Sequence, residues 1–252
     1  MRIEVAGDTH VGMKRAHNED SFLLLPEENL CAVADGMGGH ASGEVASRTA
    51  VETLELFFRS TAGDREITWP FGVDETRSRS ENRLLVGIHQ ANARIVELAE
   101  REPRYRGMGT TLVSLLVSEG RAWLGWAGDS RAYRFRDGSL VQLSEDHSLV
   151  NDLVKSKRLT PAEAAKFPHR NVIVRALGMR EPLPIDVVCD EPQQGDLYLL
   201  CSDGLSGMLS DERIGAILSR ARSLDVAVRQ LIDGANAAGG ADNVTVVLAR
   251  IA

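Results

Sequence analysis

Between Thr111 and Leu143 the chain is cut into four short apolar runs by very tight turns. The runs are Thr111–Val117, Ala122–Ala127, Arg131–Phe135 and Ser139–Leu143, and the breaks fall at Glu119-Gly120, Gly128 and Asp137-Gly138. Two-residue breaks of the Asp-Gly kind join antiparallel strands, because a parallel return needs a crossover of a dozen residues or more. This stretch therefore excludes a doubly wound parallel fold and reads as a β-meander.

The remaining segments extend the pattern. Ile3–Gly7 is a short strand, and Gly12–Asn18 is a polar, basic loop. Ser21–Leu25 and Leu30–Ala34 form a hairpin across Pro26-Glu27-Glu28-Asn29. Ile185–Cys189, Leu197–Cys201 and Val244–Ile251 are further strands. Glu44–Phe58 is a helix, with Ala46, Ala50, Leu54 and Phe57 on one face. A second helix carries Leu84, Ile88, Ala91, Ile95 and Leu98. Asp211–Arg220 and Ser223–Ala238 are helices too, and Leu224, Val228, Leu231 and Ala235 line one face of the latter. Residues 59–82 are expected to be a surface insertion, with Trp69 and Phe71 pinning it to the body. Residues 145–180 are helical in character and rich in Lys and Arg, which suits either a solvated excursion or a substrate-facing basic flap. No repeat, linker or second hydrophobic core is evident, so one domain is expected, with strands and paired helices in separate layers.

Composition removes several classes. None of the 252 residues belongs to an apolar run near the roughly 18–20 residues of a membrane helix. The first residues lack the apolar stretch of a secretory signal, so a cytoplasmic location is expected. A net charge of −7 argues against nucleic acid as the main partner. Cys31, Cys189 and Cys201 each lie in an apolar run and are expected to be buried reduced thiols.

Four segments share one grammar. Ala32-Val33-Ala34 runs into Asp35-Gly36, and Leu124–Ala127 runs into Gly128-Asp129-Ser130. Tyr198–Cys201 runs into Ser202-Asp203-Gly204, and Asp242-Asn243 precedes the strand at Val244. Any one of these alone is an ordinary turn aspartate. Together, in neighbouring strands, they would gather four carboxylates, and like charges that close raise one another's pKa. Bound cations remove that conflict. Aspartate oxygens, a backbone carbonyl and water are the ligands of hard ions such as Mg²⁺ and Mn²⁺. The loop Lys14-Arg15-Ala16-His17-Asn18-Glu19-Asp20 supplies the opposite sign, and a guanidinium can fork a phosphate. Two metals and an Arg make a site for a phosphoryl group and an activated water.

These residues resemble a known family. Arg15–Asp20, Asp35–His40, Gly107–Thr111, Gly128–Arg131, Cys201–Leu205 and Asp242–Thr245 occur in the order seen in bacterial metal-dependent protein phosphatases of the 2C type. The resemblance covers nearly the whole chain. It implies an α+β fold, a four-layer αββα sandwich of two stacked antiparallel sheets flanked by helix pairs, with metals at one end. Residues 1–252 would be a single catalytic domain, with a flap near 144–178.

The resemblance also implies roles. Asp35 would bridge two Mn²⁺ or Mg²⁺ ions, with the Gly36 carbonyl on one, and Asp203 and Asp242 would complete the ligands. Asp129 would help hold a third, weaker metal. Glu19 and Asp20 would act through metal-bound waters, and Arg15 would hold the substrate phosphate. A metal-bridging water would attack phosphoserine or phosphothreonine directly. In animal-type members a histidine follows the Asp-Gly pair as general acid, whereas here Met37 stands there. His40, three residues on, is carried as a catalytic candidate, with metal-bound water as the alternative donor. Phosphorylated proteins, Ser/Thr kinases or their targets, are the implied partners, and a monomer is expected. The rival readings are a catalytically weak sensor of phosphoproteins or metals, and a phosphatase for small phosphate esters.

Overall fold

A strand with no polar alternate residues needs apolar cover on both faces. The run at Leu30–Ala34 is such a strand, and the computed structural model shows what covers it. The structure describes residues 1–38, 42–63, 72, 74–164, 167, 172–179 and 182–252. Its strands are β1 (Ile3–His10), β2 (Asp20–Leu25), β3 (Leu30–Met37), β4 (Gly109–Thr110), β5 (Leu112–Ser118), β6 (Arg121–Ala127), β7 (Arg131–Arg136), β8 (Ser139–Gln142), β9 (Asp186–Asp190), β10 (Leu197–Cys201) and β11 (Val244–Ile251). Its helices are α1 (Ser42–Ser60), α2 (Arg79–Arg101), α3 (Leu149–Lys155), α4 (Pro161–Ala164), α5 (Asp203–Ser206), α6 (Asp211–Arg220) and α7 (Leu224–Ala237).

The described strands form two antiparallel sheets. One runs β1-β11-β10-β7-β8; the other runs β2-β3-β5-β6-β9, with β4 beside β3. Alternate residues of β3 serve different layers. Leu30, Ala32 and Ala34 pack with α1 and α2, while Cys31 and Val33 face the other sheet. In β11, Val244, Val246 and Leu248 pack with α6 and α7, whereas Val247, Ala249 and Ile251 face inward. The two sheets and the outer helix pairs are thus the expected αββα sandwich. Three buried layers replace the single core expected from sequence, because each sheet is covered on both sides.

Helix starts follow local chemistry. Ser78 caps α2 by accepting from the Glu81 amide, and Ser148, Ser210 and Ser223 cap α3, α6 and α7 in the same way. No described helix is long and apolar enough to cross a membrane.

Several expectations are corrected. The middle stretch is not one meander: β5 pairs β6 and β7 pairs β8, but β6 and β7 lie in different sheets. Gly128-Asp129-Ser130 is the crossover between them, and a turn signal reports the reversal without saying which sheet receives the next strand. The segment 145–180 holds only short helices among its described residues, α3 and α4. Two of its cations are paired, Lys155 with Glu145 and Arg175 with Asp186. Lys166, Arg170 and Arg180 lie outside the described residues. Cys31 and Cys201 are buried, but Cys189 is exposed, on edge strand β9. Strand β1 runs three residues beyond Gly7, to His10. Helices take both ends of the 59–82 stretch, and Trp69 and Phe71 lie outside the described residues.

Candidate metal and phosphate site

The four repeated aspartates meet at one end of the sandwich. Asp35 lies in β3 and Asp129 follows β6, both from the six-stranded sheet. Asp203 opens α5 directly after β10, and Asp242 precedes β11, both from the five-stranded sheet. The two sheets therefore contribute two carboxylates each. All four line a cavity of about 420 Å³ with Arg15, Glu19 and Gly36.

The backbone that carries them is held by hydroxyls and amides. The Asp35 N–H donates to Thr111 Oγ1 at 3.0 Å, and its carbonyl accepts from the Thr111 N–H and Thr110 Oγ1, both at 2.9 Å. Thr111 Oγ1 also meets Ser130 Oγ at 2.7 Å, tying β3 to the crossover beside Asp129. Asn243 binds the Arg15 loop to the start of β11. Its Nδ2 donates to the Val11 and His17 carbonyls at 3.0 and 2.9 Å, and its Oδ1 accepts from the Glu19 N–H at 2.8 Å. Gly12 sits in that loop at φ +81°, and a Cβ there would lie 2.1 Å from the Asp242 carbonyl oxygen.

Charge is crowded here. Burial, followed by repulsion from Asp20, Asp203, Asp129 and Asp242, pushes Asp35 well above the usual carboxylate range. Burial and Asp242 raise Asp203. Burial, Asp203 and Asp146 push Asp129 up to about 7. Asp35 and Asp203 stand close enough for each to affect the other's ionisation. Asp20, paired in register with Asp35, is buried and raised to about 7, mainly by burial. Its Oδ2 accepts from Thr245 Oγ1 at 2.6 Å and Ser202 Oγ at 2.8 Å. Its Oδ1 is buried without a hydrogen-bond partner. Burial also raises Glu19.

Protonated carboxyls and an orphaned carboxylate oxygen mark a site that a cation would complete. Among the described residues no three His, Cys, Asp or Glu side chains form a ready cage around one point. The ring is instead an open anionic basin, and this suits hard ions that fill out their shell with carbonyls and water. Short carboxylates without soft ligands fit Mg²⁺ or Mn²⁺.

Each anticipated residue that the structure describes has a place. Asp35, Gly36, Asp129, Asp203, Asp242, Arg15 and Glu19 line the cavity, and Asp20 lies beneath it. Arg15 pairs with Asp242 at 2.7 Å, a partner that its spacing from Glu19 did not suggest. His40 lies outside the described residues. Gly36 has a reason that sequence did not supply: a Cβ there would fall 2.2 Å from the Gly43 carbonyl oxygen, at the start of α1. Sequence reading gave no role to Thr111, Asn243 or the fork of Arg131 on Asp146, at 2.7 Å. The run Glu145-Asp146-His147-Ser148 after a strand was the available signal.

The chain belongs to the protein phosphatase 2C family, whose sequence model matches residues 6–238. It is 37% identical over 243 residues to the serine/threonine phosphatase stp of Listeria welshimeri, covering 95% of this chain and 92% of that protein. A crystal structure of the serine/threonine phosphatase PstP/Ppp of Mycobacterium tuberculosis superposes with a TM-score of 0.87 at 38% identity, covering 100% of this chain and 99% of that one. A structure of the PstP catalytic domain in complex with two manganese ions gives a TM-score of 0.83 at 38% identity, covering 99% of this chain and 98% of that one.

Proposed function

We propose that this chain is a metal-dependent protein-serine/threonine phosphatase, and that residues 1–252 form one catalytic domain with residues 144–178 as its flap. The observation that carries the reading is the ring of four aspartates, two from each sheet, facing Arg15 across one cavity. The relative solved with two manganese ions supports two divalent cations, Mn²⁺ or Mg²⁺, in that ring. Asp35, with Asp203, Asp242 and the Gly36 carbonyl beside it, would hold these ions, and Asp129 would serve a third, weaker site. The chemistry such ions supply is Lewis acidity, lowering the pKa of water and neutralising phosphoryl charge.

The chain's own groups do the rest. Arg15 is exposed at the rim and pairs with only one carboxylate, so its guanidinium can turn to a phosphate once Asp242 is neutralised. Asp35 and Asp203 are both raised by burial, so protons would compete with any ion for them. Asp20 and Glu19 hold water from beneath and beside the basin, with Asp20 Oδ1 free to accept. His40 remains the candidate proton donor to the leaving alcohol. The substrates are phosphoproteins of a bacterial Ser/Thr kinase system, the kinases or their targets, and the protein acts as a monomer in the cytoplasm.

Hydrolysis of a phosphothreonine peptide with Mn²⁺, Mg²⁺ or EDTA tests the reading. Turnover with either metal and loss of it with EDTA is expected; turnover that ignores EDTA would refute it. A small phosphate ester hydrolysed far better than any phosphopeptide would favour the rival substrate class.

A further inference from the structure

His147 lies near the start of the 144–178 flap, beside the carboxylate ring, and none of the steps above uses it. It is 7% exposed. Its main chain is a rung between two segments. The N–H donates to the Gly128 carbonyl at 2.9 Å, and the carbonyl accepts from the Val174 N–H at 2.9 Å. The ring holds the same two segments. Nδ1 accepts from the Gly128 N–H at 3.1 Å, so both backbone groups of Gly128 are taken by one residue. An accepting Nδ1 carries no proton, which places the proton on Nε2. Nε2 then donates to Asp186 Oδ2 at 3.1 Å. Arg175 donates to Asp186 Oδ1 at 2.7 Å and its Nη1 also lies 3.1 Å from His147 Nε2, so the imidazole and the guanidinium converge on one carboxylate. Trp126 stacks on the imidazole, centroids 6.1 Å apart and planes 15° from parallel.

Both segments reach the site. Gly128 has φ +121° and would place a Cβ 2.5 Å from Thr111, so the crossover has little freedom there. The next residue is Asp129, in the ring. On the flap side Ile173 lines the same cavity and immediately precedes Val174, the residue bonded to His147.

We propose that His147 is a positioning residue that couples the 172–175 part of the flap to the ring. Its Nδ1 sets the backbone that presents Asp129, while its Nε2 and main-chain carbonyl hold the segment that bears Ile173. The proposal rests on the phosphatase reading for its kinetic readout, but not for its structural one.

The test separates the two ring nitrogens. In His147→Asn the amide oxygen can take the place of Nδ1; in His147→Gln the amide reaches only the place of Nε2. Asp186→Asn, at a half-exposed position that does not threaten folding, loosens the flap side alone. Amide hydrogen exchange is read at 128–130 and 172–175, with kcat and KM for a phosphothreonine peptide and for p-nitrophenyl phosphate. His147→Gln is expected to speed exchange at Gly128 by about tenfold or more and to lower kcat on both substrates about as much. His147→Asn is expected to keep Gly128 protection and kcat within about threefold of the parent. Asp186→Asn is expected to speed exchange at 172–175 and raise KM for the peptide alone. Equal loss of protection in the Asn and Gln variants, or altered Gly128 exchange with unchanged kcat, would overturn the proposal. A parent protein without phosphatase activity would refute the phosphatase reading, and the exchange experiment would still decide the coupling.

Discussion

Asp35 is a residue that opposes folding where it stands. Its charge is disfavoured by burial and by four neighbouring carboxylates, which raise its pKa well above the usual carboxylate range. Replacing it with an isosteric neutral amide relieves the repulsion and removes the proposed metal ligand. Asp35→Asn is therefore expected to cut kcat/KM by roughly 10³-fold or more, equivalent to about 4 kcal/mol. Without metal, its melting temperature is expected to equal or exceed that of the parent once pH is high enough to ionise the parent's ring. Steady-state kinetics and scanning calorimetry read the two effects, and a variant that retains activity would contradict the assignment. Arg15 acts by a different term. It is exposed and its partner is a candidate ligand, so Arg15→Ala is expected to leave stability nearly unchanged. A lost charge-assisted hydrogen bond of about 1.5–3 kcal/mol raises KM roughly ten- to hundredfold with a smaller effect on kcat.

The elements show why glycines follow the aspartate. Helix α1 begins so close to β3 that Gly36 and Gly43 meet backbone to backbone. Gly36→Ala must push the two apart, and overpacking of this kind costs about 1–3 kcal/mol. It is expected to lower the melting temperature and to weaken Mn²⁺ binding measured by calorimetry, since β3 carries Asp35. Element types were legible in the sequence, because Leu54 and Phe57, or Leu224 and Val228, recur at helical spacing. The sheet change at Gly128 was not. The same turn chemistry serves a hairpin within one sheet and a crossover between two.

At the scale of the whole molecule, protons and metals compete for one end of the sandwich. Asp20 and Asp129 have folded-state values raised to about 7, above their unfolded ones. Groups raised in this way stabilise the fold fully below the unfolded pKa, and the contribution is lost as pH rises through the folded value. In EDTA the melting temperature is therefore expected to fall between about pH 4 and pH 7 from these two groups. Saturating Mn²⁺ is expected to flatten or reverse that trend, because binding releases protons and grows stronger with pH. Calorimetric scans across that range read the difference, and parallel curves with and without metal would count against a carboxylate metal site.

The sequence by itself determined which residues could bind: four aspartates after or before apolar strands, an arginine in a basic loop, and antiparallel pairing from tight turns. These are local facts, because a strand, a turn and a carboxylate each follow from a few neighbouring residues. The tertiary structure alone decided that two aspartates come from each sheet, that Arg15 rests on Asp242, and that Thr111, Asn243 and His147 hold the backbone beneath them. Those contacts join residues from 19 to 232 positions apart, and no local propensity carries information over such spans. They exist because two sheets, each buried on both faces, can stack in only a few ways, and this packing brings their loops to one end.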